Sequence, residues 1–120
     1  MSDLDNLKND LRKIERPGKA KSLMRFFKTG KGEYGEGDEF LGLMTDETRS
    51  VAKKNSTLSL DDISKLLESK IHEERVVAVM ILCSQFKEAD LKEKKKIYDF
   101  YCKFIIFLLL KIIFHKIFDL

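Results

Sequence analysis

The chain has 120 residues, enough for one domain with a modest core, and only one proline, which favours helices. Hydrophobic residues make up 43% and charged residues 36%, a balance that excludes a disordered chain. The net charge of +3 hides an asymmetry: residues 1–32 carry nine basic side chains against four acidic, while residues 33–48 carry six acidic and none basic. The basic segment allows a nucleic-acid partner without requiring one, because a charge run is most often a solvated face.

In chain order, Leu4, Leu7, Leu11 and Ile14 fall at helical spacing behind a Ser2–Asp5 capping box. Pro17 suits the first turn of a second helix, whose apolar stripe is Ala20, Leu23, Met24 and Phe27. Thr29 to Asp38 holds four glycines in ten residues and reads as a loop. A third helix is predicted over about 45–54. A fourth follows the Ser59–Asp62 cap, with Leu60, Ile63, Leu66 and Leu67 on one face. A fifth spans about 72–86, with Glu73 and Glu74 at the positive end of its dipole. A sixth begins near Asp90, with Leu91, Ile97, Tyr98 and Tyr101 as its expected buried side.

Short connections predict antiparallel neighbours, hence three helix pairs over about 3–28, 45–68 and 72–103. The expected fold is all-α: HEAT-like stacked helical hairpins forming an α-solenoid, with a plain helical bundle fitting the periodicity nearly as well. The expected organisation is a helical region 1–103 followed by an atypical tail 104–120 rich in Phe, Ile, Leu and Lys. The uninterrupted apolar run in that tail, Phe104 to Leu110, is too short to span a bilayer, which takes about 20 residues. A buried terminal helix, an interfacial anchor and a shifted reading frame are all open for it.

Several motifs dissolve on inspection. Gly30 to Gly35 matches G-x-G-x-x-G, but a helix precedes it where a strand is needed, and Glu33, Glu36 and Asp38 would repel a phosphate. His72–Glu73 lacks the second histidine of a zinc-protease helix, since Val76 stands there. The two cysteines and two histidines do not converge by spacing on a metal site. Cys83 and Cys102 are expected as reduced core residues of a cytosolic protein, and the polar N-terminus shows no signal-peptide pattern. Asp99, between aromatic residues, is expected on an exposed polar face. The cluster Lys92, Lys94, Lys95 and Lys96, and Lys28 and Lys31 beside the glycine loop, are candidate phosphate contacts.

The order of short motifs is more specific than any one of them. Arg25-Phe26-Phe27-Lys28-Thr29-Gly30 leads to Gly32-Glu33-Tyr34-Gly35-Glu36-Gly37-Asp38 and Phe40-Leu41-Gly42. Ile71-His72-Glu73-Glu74-Arg75 and Lys96-Ile97-Tyr98-Asp99-Phe100-Tyr101 follow. Over about 15–103 this succession resembles the N-terminal half of AlkD-like DNA alkylation repair proteins. The resemblance implies a HEAT-like solenoid with a basic concave face on double-stranded DNA, excision of cationic N3- or N7-alkylated purines, and no metal or organic cofactor. It makes Phe26, where relatives place an aromatic near the lesion, a candidate for stacking on DNA, with core packing an equal explanation, beside the candidate phosphate contacts Lys28, Lys31, Lys94 and Lys95. A monomer, a cytoplasmic location and no membrane partner are the remaining expectations, the oligomeric state being open.

That chemistry asks for a carboxylate beside the developing sugar cation and for aromatic faces against the cationic base. The family carries them in a Trp-Asp-x-Val-Asp stretch soon after the Tyr-Asp-Phe-Tyr region. Here the corresponding place holds Phe104 to Leu120, and the chain has no tryptophan. No catalytic role transfers to His115 or Asp119, and the chain is expected to be truncated or frame-disrupted, with little excision activity.

Overall fold

A computed structural model describes residues 2–26 and 37–118, with backbone alone for 107–118. It is all-helical, with α1 (Asp3–Arg12), α2 (Pro17–Phe26), α3 (Thr45–Lys54), α4 (Leu60–Leu67), α5 (His72–Glu88) and α6 (Leu91–Phe118). The expected apolar position Phe27 and most of the glycine loop lie outside the described residues. The chain divides into two units, Met1–Gln85 and Phe86–Leu120.

Local chemistry sets the helix ends in the first unit. Ser2 accepts from the Asp5 N–H at 3.1 Å, and the Asp5 carboxylate accepts from the Ser2 N–H at 3.3 Å, closing the expected capping box. Pro17 opens α2, where its missing N–H costs nothing. Ser59 caps α4 by accepting from the Asp62 N–H at 3.2 Å. Met44, which precedes α3, has no capping oxygen. Glu47 supplies one half of the box by accepting from the Met44 N–H at 2.9 Å.

The core of the first unit gathers residues from each of its helices: Leu7 and Leu11 from α1, Ala20 alone from α2, Val51 and Ala52 from α3, Ile63 and Leu66 from α4, Val77 and Ile81 from α5. Each fully buried Leu or Ile contributes about 1.5–3 kcal/mol relative to exposure. Helix α1 packs against α3. Lys54–Asp10 at 3.8 Å ties α1 to α3 near the surface, and Lys8 ties α1 to the buried Glu74 carboxylate of α5 at 3.9 Å. The Gln85 amide donates to the Ser56 and Leu58 carbonyls at 2.9 and 2.8 Å, holding the α3–α4 turn.

In the second unit, Asp90 caps α6 by accepting from the Glu93 N–H at 2.9 Å, and the helix runs unbroken through Phe104 to Phe118. The expected buried side of α6 is corrected. Ile97 is buried, but Leu91, Tyr98 and Tyr101 are exposed, and Phe104 is the second buried residue among those described on α6. Ile97 and Phe104 are seven residues apart and share one line along the helix, whereas Leu91 and Tyr98 lie on another. The apolar set covers more of the circumference than packing buries, so periodicity could not choose between the two lines.

The core placement of the cysteines is corrected for the same reason: Cys83 is exposed and Cys102 half-buried, both as free thiols. Asp99 is exposed, as expected.

Candidate nucleic-acid interface

The segment 38–44, which follows the glycine-rich stretch, belongs to no helix or sheet that would satisfy its backbone. Its polar groups are taken up by the linkers around it. Glu39 donates its N–H to the Lys70 carbonyl at 3.0 Å, and its carbonyl accepts from the His72 N–H at 2.8 Å, forming an isolated parallel bridge with Ile71. The Leu41 carbonyl accepts from the Arg16 N–H at 2.7 Å. The Glu73 carboxylate, 2% exposed, accepts from three successive backbone N–H groups: Leu41 and Gly42 at 2.9 Å and Leu43 at 3.2 Å. Three backbone donors on one carboxylate compensate the desolvation that burial imposes.

This clamp explains the residue types. Gly42 takes φ +83°, and a Cβ there would run into the Arg16 carbonyl and come within 2.8 Å of the Ala20 backbone nitrogen, so no larger residue fits. The Arg75 guanidinium donates to the Asp38 carboxylate at 2.8 Å and to the Ser69 carbonyl at 2.7 Å, closing the segment at its other end. His72 stacks on Phe40 with ring centroids 4.6 Å apart, and burial pushes its pKa below the usual imidazole value. His72, which lacks the partner histidine of a zinc-protease helix, has a packing role here. It is half-buried in this stack. The motif His72-Glu73-Glu74-Arg75, which in sequence suggested only a favourable dipole interaction, is the fastening of residues 38–44.

A second fastening lies nearby. The Arg16 guanidinium forks onto the Glu47 carboxylate, one arm at 2.8 Å. That pair and the Met44 N–H hold the Glu47 carboxyl down at about 2, well below the usual carboxylate range. Together these contacts fix where α2 begins relative to α3.

The candidate DNA contacts fall as follows. Phe26 ends α2 and is 76% exposed, so it does not serve the core. Lys28 and Lys31 lie outside the described residues. Lys94 and Lys95 stand in the first turns of α6, where the Lys94 ammonium sits 5.4 Å from the Phe86 ring centroid and Lys95 is exposed.

Sequence reasoning missed a polar cleft of about 680 Å³ lined by Asn6, Asn9, Arg12, Lys13 and Lys54, with Asp10 as its acid. Its cations end α1 and α3. Basic residues in a last helical turn read first as partners of the helix dipole, and only packing of α1 on α3 brings them together. Glu73 and Glu74 are the buried carboxylates among the described residues, and both have structural partners. No cluster that could hold a metal ion occurs among the described residues, and no described helix is long and apolar enough to cross a membrane.

No curated protein and no solved structure matches the chain. The family model described as DNA alkylation repair enzyme matches residues 7–108, which takes in the clamp, its glycine and most of α6 as far as Leu108. With that match spanning most of its length, this helical chain belongs to the DNA alkylation repair enzyme family.

Proposed function

We propose that the chain binds double-stranded DNA, that its helix pairs stack as a HEAT-like solenoid for that purpose, and that it does not itself excise alkylated bases. Family membership supports the DNA partner. The contacts are Phe26 at the end of α2, the flanking Lys28 and Lys31, and Lys94 and Lys95 on α6, with Lys13 and Lys54 adding charge in the α1–α3 cleft. Lysines meeting phosphates give affinity without sequence reading, which suits a protein that must scan DNA.

The observation that carries the non-catalytic half is the commitment of Glu73. Loss of a cationic purine leaves an electron-poor sugar, and a carboxylate with free lone pairs must stand beside it. Glu73 spends its oxygens on three backbone N–H groups, and Glu74 faces Lys8. The chain also has no tryptophan to hold the departing base.

The test is an electrophoretic shift on undamaged duplex DNA at several salt concentrations. Binding that falls steeply with salt, and is weakened by Lys13→Glu with Lys54→Glu and by Lys28→Glu with Lys31→Glu, is the expected outcome. Absence of binding at low salt would turn the reading to a helical module for a protein partner.

A further inference from the structure

The first sixteen residues of α6 carry an arrangement that neither the core nor excision chemistry uses. Leu91, Tyr98 and Ile105 recur every seven residues, two helical turns, and so form one line along the helix, with Tyr101 at its edge. This line is solvent-exposed: Leu91 is 87% and Tyr98 61% accessible, and the neighbouring Ile106 is 58% accessible. Isolated exposed apolar residues are ordinary, but a row recurring every seven residues, with the half-buried Lys94 in the turn between Leu91 and Tyr98 and Tyr101 in the next, is a candidate interaction surface. Lys92, Lys96 and Lys103 form a second line about a third to a half of a turn away, with the exposed Lys95 between the two. Asp99 sits within the basic line and Glu93 pairs with Lys96 at 3.8 Å, so the face keeps a positive excess after both acids are counted.

We propose that this face of α6 docks on an anionic lipid surface, lying in the plane of the membrane with the Leu91–Tyr98–Ile105 line in the acyl boundary and the lysines among the headgroups. Three features select this occupant. The apolar and basic lines lie on different sides of the helix, so the first can enter the acyl boundary while the lysines reach the headgroups. Tyrosine, with an apolar ring and a polar tip, stands in the apolar line, where headgroup depth suits it. The basic excess would repel an identical face of a second copy in parallel register but complements phosphatidylserine or a similar headgroup.

The experiment is flotation of the full chain with vesicles of phosphatidylcholine alone and of phosphatidylcholine carrying phosphatidylserine. Flotation with the anionic vesicles only, weakened by salt, is expected. Lys92→Ser with Lys96→Ser and Lys103→Ser should weaken it on the order of 100-fold, at about five-fold per lysine. Tyr98→Ser with Ile105→Ser should weaken it about ten-fold or more while leaving the shift of duplex DNA unchanged, which separates lipid docking from DNA binding. Lys13→Glu with Lys54→Glu, remote in sequence on α1 and α3, should leave flotation unchanged. All these positions are exposed or at the rim of packing, and far-UV circular dichroism checks that the helices persist. Flotation with neither vesicle, or flotation indifferent to the α6 lysines, overturns the proposal. So does a concentration-dependent dimer abolished by Tyr98→Ser in a chain that ignores lipid, which would give the face to a second copy.

Discussion

The Glu73 carboxylate accepts a hydrogen bond from the Gly42 N–H at 2.9 Å, joining the first turn of α5 to a left-handed glycine 31 residues earlier in the chain. Neither residue works without the other. The glycine lets three consecutive N–H groups turn toward one point, and the carboxylate supplies the acceptor that keeps them buried.

Removing the acceptor should be costly. Glu73→Ala leaves three buried N–H groups unpaired, and the expected loss is roughly 3 kcal/mol or more, measured by urea denaturation. Glu73→Gln keeps one acceptor oxygen but turns an amide N–H₂ toward the same donors, so it should fall between wild type and alanine. A loss below ~1 kcal/mol for alanine would show that the carboxylate is not the fastening described here.

Gly42→Ala should destabilise by at least ~1–3 kcal/mol from the left-handed backbone alone, with the clash against Arg16 and Ala20 adding to it. Gly18→Ala is the control: nothing lies within 4 Å of a Cβ there, and the residue sits in a helix where alanine is preferred. The thermal midpoint should drop for the first and hold or rise for the second.

How far these contacts could be read beforehand differs by element. The helices were legible because the Ser2 and Ser59 caps, Pro17 and the spacing of Leu7, Leu11, Ile63 and Leu66 are local signals acting within a few residues. The clamp was not, because Glu73 meets residues 30 to 32 positions away, and an acid in a first helical turn already has a sufficient local reason to be there. The buried line of α6 was missed because Leu91, Tyr98 and Tyr101 are as apolar as Ile97, and only packing decides which line is covered. The candidate site was legible as a set of residue types, while the cleft that joins Lys13 to Lys54 depends on α1 meeting α3.

Two pH effects follow with definite sign. Glu47 titrates near 4.5 when unfolded and at about 2 in the fold, where Arg16 and the Met44 N–H hold its charge. Its contribution is therefore complete above about 4.5 and is lost as pH falls toward about 2. Glu47→Gln should flatten the stability profile across that interval. An unchanged slope would show that the pair does not couple to folding.

His72 behaves analogously at higher pH. Burial against Phe40 lowers its pKa from 6.5, so the unfolded chain takes up the proton first and stability declines as pH drops below 6.5 toward the lowered value. The denaturation midpoint of His72→Gln should show less of this decline than wild type. Equal slopes in the two proteins would contradict the assignment.

The most direct measurement is release of 7-methylguanine and 3-methyladenine from methylated duplex DNA by the purified chain, under conditions where the same preparation shifts that duplex on a gel. The expected result is DNA retention with base release no faster than from DNA alone. Catalysed release that disappears on replacing a single carboxylate, Asp99 or Asp119 for instance, would contradict it and place a working acid where none is assigned.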